Sequence, residues 1–423
     1  MVASLDEWIT REALVLGDLA AIDRVVAALG DEGVLLGLGE ALHGGEEVLT
    51  LRNQWFERLV EKHRFSAIAV ESCYVRAARV NGFIQGDGPA TFEEVREEGF
   101  SQGLGQLESN RELAEWMRRW NARPGCAVPL RFYGFDIPMG ALGMTGPRRV
   151  LETAVEYLAR VEPALAQAQR ARIEPHLLSD AAWENPAMYT DPSQSVGQSA
   201  EAAALRVAVE ELLAALRLHR PALVAATGEE SFAEAVRHAE LGRDVLTYHA
   251  ALARNVGMGP LLGWRDAVMA DNLMHLVERE RGRGRILVFA HNAHLQRGKK
   301  RSWSGWHQAL GVEPFAWWPA GAHLDQRLGA RYAVIGTGVG VSEANGIAAP
   351  EAGTLEARLG ARLIPTHRGA RLAGEEVAAL PTRSGSGRNL SYTPLEVQSL
   401  SDFDWLGVLG EVTYWRGGRP LPG

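Results

Sequence analysis

A chain of 423 residues with 46% hydrophobic content is long enough for one large core or a core with an insertion, and too apolar to be disordered. Charged residues make up 23% and sum to a formal net charge of −8, which argues against the basic face that a nucleic-acid partner needs. Cys73 and Cys126 cannot build a disulfide framework, no apolar run reaches the length of a membrane span, and the N-terminal stretch carries acids where a secretory signal would be basic, so a cytoplasmic protein without membrane contacts is expected.

In chain order, the first short apolar run is "VLLGL" (Val34 to Leu38), which leads into Gly39 and Glu40 with His43 three residues on. A helix comes next, from about Glu46 to Lys62. Its apolar stripe is Val48, Leu51, Trp55, Phe56 and Leu59, and Arg52 falls near the centre of that stripe. Leaving such a guanidinium unpaired in the core would cost on the order of 3–5 kcal/mol, so a carboxylate partner is expected, with Glu40 and Glu71 the obvious choices. The competing reading has Arg52 snorkelling to the surface along its own stem. "SAIAV" (Ser66 to Val70) then runs into Glu71, and "LRFYGF" (Leu130 to Phe135) into Asp136.

From about Thr145 to Leu262 the strand pattern gives way to Ala-, Leu- and Arg-rich helix. This reads as a helical insertion, 145–262, that shapes a substrate cleft, set in a catalytic core made of 1–144 and 263–423. "WRDAVMADNLMHLVERE" ties it back, with Ala267, Val268, Asn272 and Leu276 on one helical face. The basic "RERGRGR" from Arg279 to Arg285 is expected to be a solvated turn. "ILVFA" (Ile286 to Ala290) runs into His291 and His294, "YAVIG" (Tyr332 to Gly336) comes after it, "RSGSGRN" from Arg383 reads as a flexible surface loop by composition, and "WLGVLG" (Trp405 to Gly410) closes the series. Short apolar runs interleaved with helices give an α/β class: three layers, α/β/α, around a mainly parallel sheet with a helical insertion.

The informative pattern lies in the residues just beyond each run. In open α/β sheets ligands bind beyond the carboxyl ends of parallel strands, and here four runs deliver Glu40 and His43, Glu71, Asp136, and His291 and His294 to that rim. Any one of these residues is more simply a helix cap or the start of a loop; the repetition favours a site. "GLGEALHGG" is neither a Walker loop nor G-x-G-x-x-G, and its acid would repel phosphate. His291 and His294 at i and i+3 suit metal ligation or a polarising pair, but the charge of Arg52 disfavours a cation in the same pocket.

These segments resemble a known family. "GEALHGGEEVLTLRNQWFERLVEKHRFSAIAVES", "FYGFD", "RDAVMADNL" and "HNAHL" are similar, in order and spacing, to the blocks of the erythromycin esterase family from about Val34 to Leu295, and "PAGAHLDQRLGARYAVIGT" continues the likeness. The resemblance implies a hydrolase that opens macrolactone esters, as in antibiotic resistance, on a core related to metal-binding folds. It also implies a catalytic histidine at His43, paired glutamates at Glu40 and Glu71, a helix arginine at Arg52 and a second histidine pair at His291 and His294. Leu42 stands where the family commonly has a small hydroxyl residue, and Gly45 where Ser or Thr often comes after the glycine.

The expected chemistry is ester or lactone hydrolysis by a water that His43 activates. Glu40 or Glu71 would orient the imidazole, and Arg52 with His291 or His294 would hold the oxyanion. No G-x-S-x-G elbow is present, so no acyl-enzyme is expected. Asp136, Tyr248, His249, Trp303 and Trp306 are expected to contact a small-molecule ester or lactone. No cofactor is required. The alternatives are a metal-dependent hydrolase with His43, Glu40, Glu71, His291 and His294 as ligands, a binding protein that sequesters a lactone uncleaved, and a biosynthetic enzyme acting on another ester, amide or cyclic intermediate.

Overall fold

All six apolar runs form strands, and they share one sheet. The computed structural model describes residues 4–139, 143–301, 313–366 and 379–419. Its strands are β1 (Leu14–Val15), β2 (Leu35–Glu40), β3 (Phe65–Cys73), β4 (Arg131–Asp136), β5 (Arg285–His291), β6 (Lys300–Arg301), β7 (Ala316–Trp317), β8 (Tyr332–Val341), β9 (Arg362–Pro365) and β10 (Trp405–Glu411). Eight of them make a sheet in the order β1-β9-β10-β8-β2-β5-β3-β4, while β6 and β7 pair separately. The pairs β10–β8, β8–β2, β2–β5 and β5–β3 are parallel, and the pairs β10–β9 and β9–β1 at one edge are antiparallel. This is the mainly parallel α/β class expected. The added strands β1 and β9 are too short for periodicity to reveal.

Every residue of β2 and β3 is buried, so both faces of the central sheet are covered, as near-continuous Leu, Ile, Val and Ala runs require. The β2–β5 register sets Glu40 beside His291, and the β3–β5 register sets Val70 beside Phe289. Three ionisable strand ends are thereby brought level at one rim.

The chain divides into two compact units: Met1–Ser72, Arg76–Phe135 and Leu276–Gly423 form the first, Cys73–Val75 and Asp136–His275 the second. The first holds the sheet with helices α1 (Leu5–Glu12), α2 (Leu19–Leu29), α3 (Glu46–His63) and α5 (Glu108–Asn121); α4 (Tyr74–Gln85) begins at the seam. The second is helical: α6 (Arg148–Val161), α7 (Pro163–Ile173), α8 (Asp180–Trp183), α9 (Ala200–Thr227), α10 (Glu229–Ala253) and most of α11 (Met258–Arg279). It extends further on both sides than the 145–262 stretch read from composition. The helix α12 (Asn292–Leu295) is a single turn at the end of β5.

In α3 the residues facing inward are Glu46, Val48, Leu49, Leu51, Arg52, Trp55, Phe56 and Leu59, and the last turn carries Lys62 and His63 against the negative end of the helix. Arg52 therefore does not snorkel: it is 1% exposed.

Candidate active site

The loop between β2 and α3 carries the central imidazole, and glycine makes that loop possible. Gly44 has φ +134°, and a Cβ there would sit 2.8 Å from Asn345 Oδ1 and 3.0 Å from Asn389 Nδ2. The space is needed because Asn345 Nδ2 donates to the Gly44 carbonyl (3.1 Å) and Asn389 Nδ2 to the His43 carbonyl (2.9 Å). His43 N donates to Ser391 Oγ at 2.8 Å. Leu42 packs into a small cluster with Ala41, Val339, Ile347, Tyr392 and Val412. Gly45 caps α3 without a side-chain hydrogen bond, and a Cβ there would meet Val412 Cγ1 at 3.1 Å. Leu42 and Gly45 are thus both constrained by local packing.

His43 Nδ1 donates to Glu40 Oε1 at 2.7 Å. His43 Nε2 lies 3.9 Å from Glu71 Oε1, beyond hydrogen-bond reach, while His294 Nε2 lies 3.2 Å from the same oxygen. The other oxygen of Glu71 accepts from His291 N at 2.8 Å. Burial pulls the His43 pKa down, but the Glu40 hydrogen bond and the Glu71 charge outweigh it and leave the pKa raised. Burial raises Glu40. Its Oε2 is buried without a hydrogen-bond partner among the described residues.

Two expectations are corrected here. Arg52 makes no ion pair within 4.0 Å among the described residues. Its Nε and Nη2 donate to Asn53 Oδ1 at 3.0 and 2.8 Å, Nη2 reaches the Ser109 carbonyl at 3.4 Å, and the guanidinium lies 4.9 Å from the centre of the Phe289 ring. Burial lowers its pKa to about 10, against the longer-range attraction of Glu40 and Glu46, so it stays charged at neutral pH. The result is a buried cation with hydrogen-bonding capacity to spare.

His291, in turn, cannot serve as a free polarising group in this conformation. Its Nε2 donates to the carbonyls of Ser391 (2.9 Å) and Ala41 (3.2 Å), and its Nδ1 accepts from Ala293 N (3.1 Å), capping α12. Burial and the neighbouring His43 pull it down to about 3, so it is neutral and both ring nitrogens are committed to backbone. It braces the loop that carries His43.

A cavity of about 140 Å³ opens among these groups, lined by Glu40, His43, Arg52 and Glu71 together with Gln102, Leu104, Asn110, Phe289 and Trp415. All of these belong to the first unit. Sequence reasoning missed Gln102, Asn110 and Trp415. Gln102 has φ +56°, unusual for a residue with a side chain, and no local signal announces it. Trp415 was accessible by the rule used for the other strands, since it lies just beyond the last strand, β10. The "RSGSGRN" segment is also corrected: Arg383, Ser386 and Asn389 are buried, and Ser386 Oγ donates to the Asn345 carbonyl at 2.6 Å. Polar composition there supplies braces for the His43 loop rather than flexibility.

The residues expected to contact substrate have the following surroundings. Asp136, fully buried, takes Nε and Nη2 of Arg265 at 2.8 and 2.7 Å. His249 donates from Nε2 to the Thr145 carbonyl at 3.1 Å, meets Trp183 edge-on with ring centres 5.0 Å apart, and is held down to about 4 by burial. Tyr248 packs against the Met188, Leu252 and Leu261 cluster. All three belong to the second unit. Trp303 and Trp306 lie outside the described residues.

The family model for erythromycin esterase matches residues 60–403. The chain belongs to the erythromycin esterase family. The match takes in Glu71, His291 and His294, and Glu40, His43 and Arg52 lie before it. Among solved structures the chain is similar to a Bacillus cereus protein (TM-score 0.71, 17% identity, 98% of each chain covered). It is likewise similar to a succinoglycan biosynthesis protein (0.69, 17%, 98% of each chain) and to a mutant of the erythromycin esterase EreC in its open conformation (0.66, 17%, 95% of this chain and 97% of that one). At such identity these three speak to the fold, and membership rests on the family match.

Proposed function

We propose that this erythromycin esterase family member hydrolyses a carboxylic ester or lactone with a water activated by His43, without an acyl-enzyme. One observation carries the reading: Nδ1 of His43 is tied to Glu40, which leaves Nε2 towards a cavity that also holds the Arg52 guanidinium, a cation with no ion pair within 4.0 Å among the described residues. In the reaction Nε2 takes a proton from water as the oxygen adds to the carbonyl carbon. Glu40 holds the ring and stabilises the imidazolium that forms, and Arg52 meets the charge that develops on the carbonyl oxygen. The imidazolium then returns the proton to the departing alkoxide as the carbon–oxygen bond breaks, giving acid and alcohol.

The metal-dependent alternative counts His291 among its ligands, and both nitrogens of that ring are already engaged by backbone. His43, Glu40 and Arg52 suffice for the water-activating reading without it. The decisive experiment screens lactones and esters for gain of one water by mass spectrometry, with wild-type protein and His43→Ala side by side. Hydrolysis falling by about 10²- to 10⁴-fold in a variant of unchanged circular dichroism is the expected result. Undiminished turnover by folded His43→Ala sinks the mechanism.

A further inference from the structure

The segment after β10 is fastened to the first unit on both sides of Trp415. On one side Glu46 N donates to the Thr413 carbonyl (3.1 Å), while Thr413 N and Oγ1 donate to Glu47 (2.6 and 2.7 Å). On the other, Arg416 Nε and N donate to Glu46 (2.7 and 2.9 Å), its Nη1 and Nη2 donate to Glu112 (2.9 and 3.0 Å), and Glu108 N donates to the Arg416 carbonyl (3.1 Å). Gly417, at φ +80°, lies so close to the turn that precedes α5 that a Cβ would fall 2.1 Å from the Gln106 carbonyl oxygen. Between these fastenings the Trp415 ring stands 6.3 Å from the His43 ring and forms one wall of the cavity. The indole Nε1 is buried with no hydrogen-bond partner among the described residues, so the ring is held by its neighbours and by shape.

We infer that Trp415 limits the size of the group that can reach His43, so that the reacting carbonyl enters on a slender, unbranched arm while the bulk of any larger substrate stays outside. The cavity's roughly 140 Å³ is well below the approximately 300–1,000 Å³ of pockets that enclose a whole drug-sized ligand. Arg52 supplies the charge that a carboxylate, the product of ester cleavage, would meet at the same place. Arg416 is a positioning residue, because its bonds to Glu46 and Glu112 tie the segment bearing Trp415 to α3 and α5. The inference rests on the hydrolase reading for its biological meaning, but it can be tested by binding alone.

The test measures binding of sodium acetate, butyrate, pivalate and adamantane-1-carboxylate by calorimetry to wild type, Trp415→Phe and Trp415→Ala, with Arg52→Met as the control for location. Corresponding p-nitrophenyl esters are assayed in parallel. Wild type should bind acetate and butyrate and reject the two bulky acids. Trp415→Phe should keep that order, Trp415→Ala should gain about tenfold or more for the bulky acids relative to acetate, and Arg52→Met should lose them all. An unchanged size order in folded Trp415→Ala, or a wild type that binds all four acids alike or none, overturns the inference. Size-ordered binding without cleavage of any ester leaves the gate standing and removes the hydrolase reading instead.

Discussion

About a third of the His43 side chain is exposed, while the carboxylate holding its Nδ1 is 4% exposed. In the proposed mechanism that asymmetry would let one side of the ring work on water while the other is fixed by a group shielded from solvent. A general base acts only when neutral, so activity should rise with pH as His43 loses its proton, and the raised pKa puts the midpoint above the ordinary 6.5. In Glu40→Gln burial prevails, so the acid limb of kcat/KM should move to lower pH while the rate on the plateau drops by roughly 10²- to 10⁴-fold. A profile unmoved by Glu40→Gln would remove Glu40 from the base. The same raised pKa bears on folding: this histidine's contribution to stability is complete below 6.5, where the unfolded chain is also protonated, and is lost as pH rises through the folded value.

At the scale of the element, α3 shows what periodicity can and cannot read. Its apolar stripe was legible because each inward position obeys the helical period, and Arg52 stood out because it broke the pattern. The partner was not legible: a helix-facing argument says that a charge is buried but not what lies opposite, and here Asn53, Ser109 and the Phe289 ring do. Replacing a buried charge by an apolar side chain of similar length is often neutral or stabilising. Arg52→Met should therefore keep or raise the denaturation midpoint while lowering kcat by roughly 10²- to 10³-fold, the scale of losing one oxyanion donor. Loss of stability and activity together would assign Arg52 to the scaffold. The strand ends at Glu40, Glu71 and His291 were legible for a different reason, since the parallel sheet levels its carboxyl ends at one rim. The braces at Asn389 and Ser391 were not, because their polar composition is also that of a mobile loop.

At the scale of the whole molecule, two buried charges, one in each unit, are handled differently. In the first unit Arg52 makes no ion pair within 4.0 Å among the described residues; in the second Asp136 and Arg265 meet through two short hydrogen bonds. Asp136→Asn leaves the Arg265 charge short of its partner. It should cost about 3–5 kcal/mol in chemical denaturation while the His43 titration midpoint stays where it was. A stable variant with a raised KM would instead return Asp136 to substrate binding. From the sequence, Asp136 looked the same as the other strand-end acids, and only its bidentate partner distinguishes it.

The grip on the His43 loop joins positions 348 and 346 residues apart in the chain, His43 N to Ser391 Oγ and Asn389 Nδ2 to the His43 carbonyl. During synthesis, β2 and its histidine leave the ribosome long before Ser391 exists. A nascent chain that has not yet reached Ser391 can therefore form local helices and yet carry a His43 loop that lacks these two braces.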